Sequence, residues 1–278
     1  MKFKRLITMI LLVSMCLTVS ACSKGKADVK EGNDSGVQTI KIGTCDKDLE
    51  DMVLSVKDEF LKEGYKIEIK MFAGEVVAPN IAVSEGTLDA NFYQHVPYMV
   101  EFNKNKGTNL VAIGESIFYS NMGLYSEKIT KIDEVKEGMK IAISSDATNR
   151  TRALLLMQDL GLVKLKAGLE VYSKLDVEEN KYNLEITELD TAMIPSSLPD
   201  VDMVIIYPYD MELAGYEMKP LAMDPSKIGR KYGISLVTDK KNEDAKWAKI
   251  LSKLLQGEKT KKVVEEYYKD TGVHISDY

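Results

Sequence analysis

Residues 39–72 read TIKIGTCDKDLEDMVLSVKDEFLKEGYKIEIKMF, and this stretch decides the fold. Thr39 to Thr44 alternates, with Ile40 and Ile42 on one face, as a half-buried strand does. Asp46 stands where a helix cap belongs, and Leu49, Val53, Val56 and Phe60 then recur at a helical period. Gly64 stops that helix. Tyr65 to Phe72 alternates again through Ile67, Ile69 and Met71. Strand, helix and strand in one short run make a βαβ unit, which implies an α/β protein opening on a parallel sheet.

The same reading extends along the chain. Strands are expected at Leu110–Ile113, Met122–Tyr125, Lys140–Ser144, Met203–Ile206 and Ile234–Val237, with helices between them. One helix should run from Asn149 to Leu160, with Gly161 as its stop. Near the end, Leu251, Leu254 and Leu255, then Val263, Val264 and Tyr267, mark buried helical stripes. The 278 residues suffice for one two-lobed unit or two modest domains, and 45% hydrophobic residues exclude a disordered chain. A net charge of −6 argues against a nucleic-acid surface, and two histidines leave little for metal chemistry.

The N-terminus sets the compartment. Lys2, Lys4 and Arg5 precede an apolar run from Leu6 to Ala21, which is short for a membrane span and right for a secretory leader. The run ends Val19-Ser20-Ala21-Cys22, which resembles the lipobox of bacterial lipoproteins. Residues 1–21 therefore read as a lipoprotein signal peptide and Cys22 as the lipidated residue. An ordinary signal peptide cleaved near Ala21 is the plainer alternative. The polar residues 22–36 read as a flexible tether. Loss of three basic and no acidic residues with the leader takes the charge from −6 to −9, so membrane attachment must come from lipid. Cys45 is then left alone, and a small buried residue at a strand end explains it better than a nucleophile does.

Two segments carry chemistry. Asp89-Ala90-Asn91-Phe92-Tyr93-Gln94-His95-Val96-Pro97-Tyr98 gathers three aromatics, two amides and an imidazole around a proline. It suits either a pocket for an apolar or thioether side chain, or a packed helix start. Ser144 to Arg152 passes from strand through small polar residues into a helix, whose free N–H groups suit an anion. Arg150 and Arg152 sit there, two residues apart, so at most one faces a site. Such a guanidinium could grip a carboxylate bidentately, or simply be a solvated surface residue. The sequence contains no GxSxG elbow, phosphate loop, CxxC or HExxH, so catalysis is disfavoured and no cofactor or metal is expected.

From about Thr39 onward the chain resembles the NlpA/MetQ family of lipoproteins, the substrate-binding components of methionine ABC importers. The resemblance rests on Gly86-Thr87-Leu88-Asp89 through Tyr98, on Met122-Gly123-Leu124-Tyr125-Ser126, on Ile141-Ala142-Ile143 leading to Asn149 and Arg152, and on Gly161 to Lys166 and Val201-Asp202. It implies a two-lobed fold of the type II periplasmic-binding-protein kind with a ligand cleft between lobes. One lobe would comprise residues 37–123 plus 237–278 and the other residues 124–236. It also implies that Tyr93, His95 and Tyr98 surround a methionine side chain, that Asn149 and Arg152 hold its carboxylate, and that an ABC permease with its ATPase subunits is the partner.

Departures from the family pattern bear on the ligand. Tyr207-Pro208-Tyr209 replaces an Asn-Thr-Asn-like turn, Tyr232-Gly233 replaces a further asparagine, and Val76 replaces an aromatic before Pro79. Tyr207, Tyr209 or Asp210 would have to stand in for the missing amides. The expectation is a lipid-anchored protein on the extracytoplasmic face of the cell membrane that binds an amino acid, methionine or a relative. Two rivals stay open: another small metabolite in the same fold, and a surface lipoprotein that acts as an adhesin or interaction module.

Overall fold

The computed structural model describes residues 36–269 and 273–275. The expected leader, the lipidation site Cys22 and the tether up to residue 35 lie outside the described residues. Chain order begins with β1 (Gln38–Thr44), α1 (Lys47–Ser55), α2 (Lys57–Lys62) and β2 (Tyr65–Met71). β1 and β2 pair in parallel, Ile40 opposite Ile67, which is the expected βαβ unit. The helix between them is divided: Val56 leaves helical angles (φ −105°, ψ 8°) while its side chain stays in the core.

There follow α3 (Ala78–Ser84), β3 (Ala90–His95), α4 (Val96–Lys106), β4 (Leu110–Ala112) and β5 (Phe118–Ser120). α4 ends at Gly107, whose φ of 67° a residue with a Cβ adopts only at a cost. The chain then builds β6 (Gly123–Tyr125), β7 (Lys140–Ser144), α5 (Ala147–Asp159), β8 (Val163–Leu165), β9 (Val177–Asn180), β10 (Glu185–Leu189), β11 (Met203–Ile206), α6 (Pro208–Leu213) and β12 (Ala222–Met223). The remainder is α7 (Ser226–Gly229), β13 (Ile234–Asp239), α8 (Lys246–Leu255), α9 (Glu258–Tyr267) and β14 (Val273–Ile275).

These strands form two main sheets. The first has the order β14-β5-β13-β3-β1-β2, with β4 also on β13. The second has the order β10-β7-β11-β6-β12. The chain therefore passes between sheets twice, from Ser120 to Gly123 and from Met223 to Ile234, so the whole of β13 belongs to the first sheet.

Each sheet has its own core. Ile40, Ile42, Met52, Phe60, Phe92, Leu236 and Leu251 pack the first. In the second, β7 and β11 are buried on both faces: Ile141, Ile143, Met203 and Ile205 join one layer, while Ala142, Val204 and Ile206 join the other. Burying one such large side chain is worth about 1.5–3 kcal/mol, so each sheet carries a substantial apolar contribution of its own. No helix among the described residues is long and apolar enough to cross a membrane.

Candidate functional site

The Asp89–Tyr98 segment is regular structure for most of its length. It is the central strand β3, buried on both faces, running into the start of α4. Three amides hold it in place. Asn80 donates to Gln94 at 2.9 Å, Asn91 donates to Asn80 at 2.9 Å, and Gln94 donates to Asn91 at 2.8 Å. All three are buried and matched, as buried polar groups must be. The network presents Tyr93, His95 and Tyr98 at the strand end. The hydroxyls of Tyr93 and Tyr98 both donate to the Val76 carbonyl, at 2.6 and 3.2 Å. At this position of aromatic loss, the backbone thus anchors both neighbouring rings.

His95 caps α4: the Tyr98 N–H donates to its Nδ1 at 3.1 Å. Nδ1 is therefore the acceptor, and the neutral ring carries its proton on Nε2. Nε2 lies 3.3 Å from Asn149 Oδ1, across the cleft. Burial first, with the Arg152 charge adding to it, pushes His95 down to about 4, so the imidazole is neutral at physiological pH.

In the second lobe, α5 begins at Ala147, two residues earlier than expected, with Asp146 as its cap. Asp146 accepts from the N–H groups of both Thr148 and Asn149 at 3.0 Å. The helix end proposed as an anion seat is thus filled by the chain's own carboxylate. Burial works to raise Asp146, but the Asn149 N–H and the Ser144 and Thr148 hydroxyls outweigh it and hold the group below its usual range.

The two arginines separate as their spacing requires. Arg150 turns outward to the Tyr172 carbonyl and Glu188. Arg152 turns inward and is fully buried, one turn along from Asn149. Its Nε donates to Asp224 at 2.5 Å, Nη2 to the Ser120 carbonyl at 2.6 Å, and Nη1 to the Tyr207 hydroxyl at 3.3 Å. Tyr207 in turn donates to Asn149 Oδ1 at 2.7 Å. The Tyr232 ring lies 4.7 Å from the guanidinium and packs edge-on against His95 at 4.9 Å. A continuous chain of polar contacts thus joins Tyr98, His95, Asn149, Tyr207 and Arg152 across both lobes.

Tyr209 is not part of that chain. It packs against Tyr268, ring centroids 5.4 Å apart, beside Asp48, Asp46 and Asp210. Asp46, the expected cap of α1, makes no capping bond with its side chain. Burial, then the neighbouring carboxylates, raise Asp46 to about 6 and Asp210 to about 7. Asp48 is raised by burial and accepts from the Tyr268 hydroxyl. Cys45 is buried, its thiol directed at the Glu75 carbonyl, and burial raises it far above the range of a reactive thiol. A cavity of about 230 Å³ opens between α4 and the start of α5, lined by Val77, Tyr98, Phe102, Asp146 and Thr148 among others.

Sequence reasoning missed Asp224 and the carbonyls of Ser120 and Val76. Nothing local marks a carbonyl, and Asp224 reads as one acid in a turn. Tyr232 was visible only as a departure from the family pattern.

Two α/β lobes, twice connected, with aromatic and polar side chains meeting between them, define the class: the type II periplasmic-binding-protein fold. Solved structures agree. A nutrient-binding protein from Burkholderia cenocepacia, described as bound to methionine, is 30% identical with a TM-score of 0.76, covering 87% of this chain and all of its own. The sequence profile of the NlpA lipoprotein family matches residues 40–275, and the chain belongs to that family. Outer membrane lipoprotein 1 of Mannheimia haemolytica is 30% identical over 97% of this chain and 98% of its own length. The D-methionine-binding lipoprotein MetQ of Salmonella typhi is 39% identical over 168 residues; the match spans 60% of this chain and 61% of that relative's length.

Proposed function

We propose that the chain is a lipid-anchored solute-binding protein that captures methionine or a close relative outside the cytoplasmic membrane and delivers it to an ABC permease and its ATPase subunits. The observation that carries this reading is the polar chain from His95 through Asn149 and Tyr207 to Arg152, with Tyr93 and Tyr98 beside it. Arg152 is the cation of that chain, and three of its five N–H groups are engaged, which leaves two for a carboxylate. In this reading Tyr93, His95 and Tyr98 enclose the thioether side chain, and Asn149 and Arg152 receive the carboxylate. Tyr207 bridges those two, while Tyr209 stays apart from them against Tyr268.

Names of relatives supply the ligand class: one is a D-methionine-binding lipoprotein and another is described as bound to methionine. Lobes that divide near residue 123 and again between residues 223 and 234, ahead of the expected 236, an acyl group on Cys22 and a place on the extracytoplasmic face belong to the same proposal. Closure would bias an open–closed equilibrium and present both lobes to the permease, with no bond made or broken.

A second reading, a different small metabolite, is favoured by one observation. Tyr207 and Tyr232 stand at replaced asparagines, and both lie against Arg152. Native mass spectrometry of the delipidated protein, followed by calorimetry with amino acids, decides between the two. Saturable methionine binding that disappears in Arg152→Ala supports the first. A folded, ligand-free protein that ignores methionine overturns it, and a different co-purified molecule supports the second.

A further inference from the structure

Arg152 and Asp224 form a fully enclosed ion pair, and together they touch both segments by which the chain passes from sheet to sheet. On the first segment, Arg152 Nη2 donates to the Ser120 carbonyl, and the Met122 N–H donates to Asp224 Oδ1 at 2.9 Å. On the second, the Asp224 N–H returns a bond to the Met122 carbonyl at 2.9 Å. The segments are tightly seated: a Cβ on Gly229 would stand 2.8 Å from Asn121 Oδ1 and from the Tyr119 ring. A charge pair so enclosed is tolerable only when it is well partnered: both Asp224 oxygens and all three Arg152 nitrogens have partners here, and only one N–H on each terminal nitrogen is unused.

The placement also constrains the guanidinium. With Nε on Asp224, one N–H on each terminal nitrogen is left over, the pair suited to a bidentate grip on a carboxylate. We propose that Asp224 is a positioning residue. It holds Arg152 by Nε so that the two terminal nitrogens serve the ligand, and through Met122 it ties that grip to both connecting segments. A ligand carboxylate on Arg152 and the setting of the hinge then act on one another. This inference rests on the amino-acid reading given above.

The test compares wild type, Asp224→Asn and Asp224→Glu, the last keeping the charge but moving it by one methylene. Each is titrated calorimetrically with methionine and with methioninamide, which lacks the carboxylate. Loss of a charge-assisted bond that orients Arg152 should weaken methionine about 10- to 100-fold and methioninamide no more than about threefold. Equal losses for both ligands in folded variants would mean a merely structural role and overturn the proposal.

A second readout needs no ligand. Spin labels at exposed Leu61 and Leu175, one on each lobe, report the inter-lobe distance distribution. It should broaden in Asp224→Asn, and an unchanged distribution would count against the hinge tie. If wild type itself ignores methionine, the amino-acid reading fails, and this measurement still decides whether Asp224 sets the hinge.

Discussion

The imidazole of His95 and the side-chain amide of Asn149, one from each lobe, meet at 3.3 Å across the cleft. Because the Tyr98 N–H already occupies Nδ1, only the Nε2–H can make this contact, so the helix cap on one lobe dictates the donor offered to the other. Asn149→Ala removes the acceptor for both His95 and Tyr207. Methionine affinity should fall about 10- to 100-fold on losing such bonds, with calorimetry as the measure. A wild-type affinity in this variant would remove Asn149 from the site.

Arg152→Ala should cost stability as well as binding. It leaves the Asp224 carboxylate buried without its partner, a change worth about 3–5 kcal/mol of folding free energy. Replacing both members, as in Arg152→Met with Asp224→Leu, should recover much of that loss while binding stays absent. Urea denaturation of the two variants beside wild type measures the stability, and calorimetry with methionine the binding. A double variant as unstable as Arg152→Ala would show that the pair is not the cause.

Two opposing trends with pH follow from the cleft groups. His95 titrates near 4 when folded against an ordinary value near 6.5, so its contribution is complete above about 6.5 and is lost as pH falls toward 4. Asp46 and Asp210 titrate near 6 and 7 when folded against about 3.9 unfolded; their contribution is complete below about 4 and is lost as pH rises through 7. Calorimetric melting from pH 4 to 8 should therefore show Asp210→Asn flattening the alkaline side and His95→Gln the acid side. Parallel profiles for wild type and Asp210→Asn would contradict the assignment.

Asp146→Ala should destabilise the protein by about 0.5–2 kcal/mol, the usual cost of losing a helix cap, here one that satisfies two backbone N–H groups. Asp146→Asn should cost less, since an amide oxygen still accepts. Denaturant midpoints measure the difference, and equal costs would mean that charge rather than the cap matters.

Cys45 should resist modification. In a variant beginning after Cys22 it is the one cysteine, it is buried, and burial raises its thiol. A thiol reagent at pH 8 should label the native protein far more slowly than the urea-unfolded chain. Equal rates would show that the strand end opens readily.

Much of the fold was legible because its signals are local. Alternation at Ile40 and Ile42 and again at Ile67 and Ile69, with a helical period between them, is the βαβ unit itself. The break at Val56 was not legible, since the apolar period runs through it and only packing bends the chain there. At the site, Arg152 could be preferred to Arg150 from family resemblance, and helical geometry sends the two to opposite sides. The anion seat failed for a local reason: Asp146, read as part of a turn, is close enough to fill it.

By itself, then, the sequence determined the α/β class, the family, the aromatic strand end and the inward arginine, because each depends on periodicity or on a contiguous motif. Tertiary structure alone decided that Arg152 meets Asp224, 72 residues away, that Tyr207 bridges it to Asn149, and that Tyr209 joins Asp48 and Tyr268 instead. Those contacts arise where two lobes and two connecting segments converge, and no periodicity along a chain encodes which distant side chains a closed cleft will bring face to face.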